Sequence, residues 1–156
     1  MTLLHLERDC RDACSERIAA SKSALKLEVA SEFDVAAVVM LTRRFCVDIG
    51  ATPTLAAHVA TAASELANNL WMHSSRGGHI GLRALQSTRG AGVELVAHDD
   101  GPGIVDLALA LTEGYSTGGG LGCGLPGVRR LMDEFELDSA PGRGTRVLAR
   151  KWWPHG

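Results

Sequence analysis

A chain of 156 residues, 46% apolar and 22% charged, is long enough for one domain with a real core. Its formal net charge of −2 argues against a general nucleic-acid or membrane-surface binder, because phosphate affinity needs a basic excess. No apolar run reaches the roughly 18 residues that suggest a membrane span, the start from Met1 to Cys10 lacks the apolar heart of a signal peptide, and the four cysteines (Cys10, Cys14, Cys46, Cys123) form no CxxC pair. The expectation is a cytoplasmic protein with reduced thiols, without a nucleic-acid or membrane partner.

Residues 1–22 read as a short polar extension, and 23–156 as a single domain. From Ala24 the pattern alternates: Leu25, Leu27 and Val29 point one way, Lys26 and Glu28 the other, which predicts a half-buried strand. Asp34 is a candidate cap for a helix running to about Asp48, with Val35, Val38, Val39, Phe45 and Ile49 inward and Gly50 as its stop. Thr52 and Pro53 open a second helix whose stripe is Leu55, Val59, Ala62, Leu66 and Leu70. Two strands follow, about His79–Leu85 and Val93–His98, around a turn at Arg89–Gly92. A loop with a short apolar helix spans Gly101 to Gly120, and a helix over Leu125–Glu134 buries Leu125, Val128, Leu131 and Met132. Final strands at about Phe135–Ala140 and Thr145–Trp152 flank the turn Pro141–Gly144. The order β-α-α-β-β-(α)-α-β-β predicts an α/β (α+β) two-layer sandwich, a mixed, mainly antiparallel sheet covered on one face by helices.

Four segments carry chemistry. Glu65 and Asn69 are neighbours on the second helix, about 5–6 Å apart at Cβ. Both flank the apolar stripe, where a carboxylate and an amide oxygen suit a general base and a hard cation such as Mg²⁺. Taken alone, the pair is a weak pattern that reads first as a solvated helix flank. Asp99-Asp100-Gly101-Pro102-Gly103 follows a strand directly. A carboxylate there accepts the exocyclic amine of adenine and rejects the oxygen of guanine, while the glycines let backbone approach a base. An ordinary turn uses the same residues.

Gly118-Gly119-Gly120-Leu121-Gly122-Cys123-Gly124-Leu125 leads into a helix, whose free N–H groups and dipole favour phosphate. No Gly-Lys-Ser/Thr follows, so it is not a Walker loop. Gly122–Gly127 matches G-x-G-x-x-G, but a polar loop precedes it where a dinucleotide fold needs a strand. Gly144-Thr145 enters the last strand; by itself a threonine there signals only β-propensity.

In combination and in this order, these segments resemble the Bergerat-fold (GHKL) ATPase superfamily shared by histidine kinases, type II topoisomerases, Hsp90 and MutL. Glu65…Asn69 looks like its N box, Asp99-x-Gly101-x-Gly103 and Gly120-x-Gly122-x-Gly124 like its glycine boxes, and Gly144-Thr145 like its terminal element. The run Ala62–Ala67, the segment Gly114–Thr117, Gly120 through Asp133, Gly142–Thr145 and Lys151-Trp152 are similar to the switch serine/threonine kinases of the bacterial stressosome, the RsbT type. The resemblance covers about Leu25 to Trp152 and leaves residues 1–22 outside.

The resemblance implies ATP and Mg²⁺ as cofactors and assigns roles. Glu65 is the base, Asn69 binds Mg²⁺ and Asp99 holds the adenine amine. Gly101 and Gly103 shape the adenine side. Gly120, Leu121, Gly122, Cys123, Gly124 and Leu125 wrap the phosphates, and Thr145 helps a water hold Asp99 and adenine. Ser116 and Thr117, in the lid-like stretch Ile104–Gly119, touch the γ-phosphate on closure. The implied substrate is a serine or threonine on a STAS-domain partner. A PP2C-type phosphatase or a sigma-factor regulator are further partners of such kinases, and a homodimer fits the class. The rival expectation is a non-catalytic ATP-binding switch, or anti-sigma factor, that sequesters a regulator. His73 falls on the extrapolated stripe of the second helix and reads either as a site residue or as a core histidine.

Overall fold

A computed structural model describes residues 23–74, 76–112 and 124–156. The elements are β1 (Ala24–Val29), α1 (Glu32–Asp48), α2 (Pro53–His73), β2 (Gly78–Ser87), β3 (Gly90–Asp99), α3 (Leu107–Ala110), α4 (Gly124–Leu131), β4 (Glu134–Ser139) and β5 (Thr145–Trp153). The strands form one sheet in the order β1-β2-β3-β5-β4. All four pairings are antiparallel, so the parallel component of the expected mixed sheet has no counterpart among the described strands. The two-layer α+β sandwich is as expected.

Strand alternation sends one set of side chains under the helices. Across the sheet, Ile80, Ala97, Val147 and Leu137 form one row on that face, and Leu82, Leu95, Ala149 and Phe135 the next. They pack against Val59, Ala62, Ala63, Leu66, Ala67 and Leu70 of α2. The alanines let α2 lie close to its neighbours while the leucines fill the remaining space. Burial of α1 follows Val38, Thr42 and Cys46, at i, i+4 and i+8. Burial pushes the Cys46 thiol up to about 12, so it acts as a small apolar group.

Several expectations shift. The α1 cap is Ser31, not Asp34. Asp34 stands at the third helical position and its carboxylate accepts from Ala30 N–H (2.8 Å) and Ser31 N–H (3.0 Å). These bonds hold its carboxyl below the usual range. The β2–β3 turn is only Thr88-Arg89, and Gly90–Gly92 belong to β3. Any side chain at Gly90 would overlap the Trp153 carbonyl, and one at Gly92 would press on Lys151 and Trp152. Glu134 joins β4 and not the helix, because it accepts from Arg150 and from the indole of Trp152, each at 2.8–2.9 Å. His73, the last residue of α2, is exposed, whereas Leu70 before it and Ser74 after it are buried. No helix among the described residues is long and apolar enough to cross a membrane.

Candidate functional site

Two clusters form where α2, α4 and the ends of β3, β4 and β5 come together. The first joins α2 to α4. Glu65 lies half-buried on the flank of α2, between the buried Ala62 and Leu66. Its Oε2 accepts the backbone N–H of Gly124, the first residue of α4, at 3.1 Å. A carboxylate at a helix start meets an unpaired N–H and the positive end of the dipole. Gly124 has φ +39°, which a residue with a Cβ rarely adopts. Leu125 and Val128 are buried and fix α4 in place; the Leu125 side chain is therefore packing, and its backbone is what remains for a ligand. Asn69 sits half-buried one turn beyond Glu65. Its neighbour Asn68 is committed elsewhere, accepting the Trp71 indole N–H at 3.0 Å.

The second cluster joins the ends of three strands. Asp99 pairs with Thr145 across β3 and β5, and Thr145 pairs with Ser139 across β5 and β4. The three side chains share the helix-covered face, being two residues beyond the row of buried Ala97 and Val147 and half-buried Leu137. Asp99 Oδ1 accepts the Gly101 N–H at 2.7 Å, closing a turn that points the loop away from the strand. The Asp99–Gly103 loop is then laced to the β4–β5 turn. Gly142 N–H donates to the Pro102 carbonyl (2.8 Å), and Ile104 N–H donates to Ser139 Oγ (2.8 Å). Gly103 and Gly144 both have φ +77°. A Cβ on Gly103 would overlap the Ala140 carbonyl, and one on Gly144 the Asp99 carbonyl, so close backbone approach demands glycine at both.

α2 reaches this second cluster too. A Cβ at Gly78 would meet both Leu70 Cδ2 (2.7 Å) and Asp99 Cβ (3.1 Å), and one at Gly101 would meet Ser74 Oγ (3.2 Å). The helix carrying Glu65 and Asn69 therefore runs from the start of α4 to the Asp99 loop. Of the sequence candidates, Glu65 and Gly124 stand together, as do Asp99, Gly101, Gly103 and Thr145. Ser116, Thr117, Gly120, Leu121, Gly122 and Cys123 lie outside the described residues, as do Cys10, Cys14 and the extension 1–22. Ser139 went unmarked by motif reading; only strand register brings it to the site.

The uncovered face of the sheet is built differently. Glu94 accepts from Arg83 at 3.0 Å and from Arg150 at 2.9 Å, and Arg150 also reaches Glu134 at 2.9 Å. His79 and His98 lie side by side there, ring centroids 5.4 Å apart. Burial, then Lys26 and His98, hold the His79 imidazole below its usual range. A shallow groove of about 390 Å³ passes over Gly81, between Lys26, His79 and Arg83, away from both clusters.

Residues 28–151 match the family model of the histidine kinase-like ATPase domain. The chain is 40% identical over 126 residues to the serine/threonine-protein kinase RsbT of Bacillus subtilis, covering 81% of this chain and 94% of that one. It is 32% identical over 101 residues to the anti-sigma F factor of a Thermoanaerobacter species, covering 62% of this chain and 69% of the relative. A solved structure of the RsbU and RsbW domains of Rv1364c from Mycobacterium tuberculosis superposes with a TM-score of 0.61 at 17% identity, covering 85% of this chain and 33% of that one, which speaks to the fold. The span of the family match takes in α2, the Asp99 loop, α4 and the β5 threonine together. This chain belongs to the histidine kinase-like ATPase domain family.

Proposed function

We propose that this chain is an ATP-dependent serine/threonine protein kinase of a bacterial partner-switching pathway, acting on a STAS-domain regulator. The observation that carries the reading is the Glu65 carboxylate against the first N–H of α4. It puts a proton acceptor at the helix start suited to phosphate. The relative named serine/threonine-protein kinase RsbT, matched over 94% of its length, supports the reaction class.

The residues present fit a purine triphosphate. Asp99 and Thr145 form a polar pair at the strand ends, beside Gly103 and Gly144, whose lack of a side chain lets the two loops close against each other. Asp99 takes the adenine amine, and the backbone at Gly101 and Gly103 lies along the base. The Gly124 N–H is taken by Glu65 and Pro126 has none, so at the α4 start the backbone N–H groups of Leu125 and Gly127 are the ones left for the phosphates. Asn69 would hold Mg²⁺, and the ion would supply charge that offsets the phosphates. Glu65 takes the proton from the attacking hydroxyl. The new bond joins that oxygen to the γ-phosphorus as the bond to the departing ADP breaks. The lid contacts of Ser116 and Thr117 and the phosphate roles of Gly120, Leu121, Gly122 and Cys123 belong to the same proposal. A PP2C-type phosphatase or a sigma-factor regulator is a further partner. A homodimer accords with the exposed Phe33, Met40 and Val47 along α1.

The test is incubation with labelled ATP, Mg²⁺ and STAS-domain proteins, scoring acid-stable phosphoserine or phosphothreonine. Glu65→Gln is expected to lower transfer at least about 100-fold while keeping nucleotide. Retention of full transfer by that variant removes Glu65 as the base. A wild-type chain that binds ATP and captures a regulator without phosphorylating it points to the sequestering switch, the reading that the anti-sigma F relatives favour.

A further inference from the structure

Ser139 closes β4 and belongs to none of the glycine- or acid-centred motifs. We propose that Ser139 is a positioning residue that sets which nucleobase the pocket accepts, by committing the hydroxyl hydrogen of Thr145. The inference rests on the nucleotide-binding reading above.

A serine hydroxyl has one hydrogen and two lone pairs. Ser139 Oγ donates to the Gly144 carbonyl at 2.9 Å and accepts the Ile104 N–H at 2.8 Å. Its third partner is Thr145 Oγ1, at 2.8 Å. With its hydrogen on Gly144, Ser139 meets Thr145 only as an acceptor. Thr145 is thus the donor of that pair, and its hydrogen is spent inside the protein. What Thr145 can still offer a ligand is its lone pairs. Asp99, opposite Thr145 on β3, likewise offers oxygen lone pairs.

The row therefore presents acceptors and no hydroxyl hydrogen. It suits the exocyclic amine of adenine. The 6-oxo group of hypoxanthine or guanine meets it lone pair to lone pair, which a closed site rejects. Ser139 cannot easily turn out of this role. The Ile104 amide and the Gly144 carbonyl hold it from the two loops that carry the glycines.

The experiment measures Kd for ATP and for ITP, with Mg²⁺, on the full chain by calorimetry. ITP differs from ATP at the base edge in question. The wild type is expected to prefer ATP. Ser139→Ala frees the Thr145 hydrogen to turn toward a 6-oxo group, and the ATP-over-ITP preference should fall about tenfold. A merely structural role would weaken both nucleotides alike and leave that ratio in place. Ser139→Thr keeps the hydroxyl and should keep the ratio. Ser139→Cys, close in size but a weak acceptor, should move the ratio the same way as alanine by less, and it serves if the alanine variant does not fold. An unchanged ratio in the folded alanine variant, or in the cysteine variant standing in for it, overturns the inference and leaves the nucleotide reading standing. A wild type that binds neither nucleotide overturns both, and that arm is read separately.

Discussion

The two faces of the sheet use the same five strands in opposite ways. On the uncovered face, one cross-strand row runs Arg83, Glu94, Arg150, Glu134, and each charge meets its opposite. On the covered face, the row Asp99, Thr145, Ser139 sits at the end of an apolar core and is tied to backbone and hydroxyl groups. The first row is complete in itself. Arg150 is held in its charged form by Glu134 and Glu94, and Glu134 is kept below its usual range by Trp152 and Arg150. The second row has its hydrogens consumed and its lone pairs outstanding. Polar groups that satisfy one another hold a sheet together, whereas polar groups oriented by others and left partly unmatched can receive a ligand.

The sharpest way to break this contrast is at Gly144. Gly144→Ala places a Cβ on the Asp99 carbonyl at φ +77° and is expected to cost about 2–4 kcal/mol. Denaturant melts and ATP titration should both register it, since the backbone that carries Thr145 must move. A variant as stable as wild type would mean that the covered row tolerates slack. Next in size is Glu94→Ala, which leaves Arg83 and Arg150 facing each other. Arg83 is half-exposed and regains water, so the cost is expected at only about 1–3 kcal/mol. Nucleotide affinity should not change. A matching loss of affinity would show that the faces are not independent.

The smallest effect concerns pH. His79 takes up a proton less readily when folded than when unfolded, mainly through burial, then through Lys26 and His98, with Glu28 and Asp100 opposing. Stability is therefore lost as pH falls through the ordinary histidine range near 6.5, and gained back above it. Melting temperatures at about pH 7.5 and about pH 5.5 should differ less in His79→Gln than in wild type. An undiminished difference in that variant assigns the acid sensitivity to other groups.

Much of the fold was legible because its signals are local. Leu25, Leu27 and Val29 alternate, and Val59, Ala62, Leu66 and Leu70 keep helical spacing, so β1 and α2 follow from period alone. Of the candidate site, Glu65, Asp99, Gly124 and Thr145 were legible as residues because they lie in ordered motifs. What escaped is tertiary. A carboxylate is welcome both at a helix cap and at the third helical position, so Asp34 could be placed at either. Gly90 and Gly92 look like turn residues, yet the reason for glycine there is the approach of β5. The contact of Glu65 with Gly124 joins distant parts of the chain, and nothing local announces it. Ser139 is an unremarkable serine until register sets it beside Thr145.

The strand order has a consequence for how the molecule matures. β2 and β3 join through two residues and can zip early, but β3 must wait for α4, β4 and β5 before its other edge is covered. Asp99 ends the early hairpin, and Thr145 opens the late strand. The Asp99–Thr145 pair thus forms only once both strands are in place. Its completion coincides with the docking of β5, and a chain truncated or stalled before β5 lacks the pair altogether.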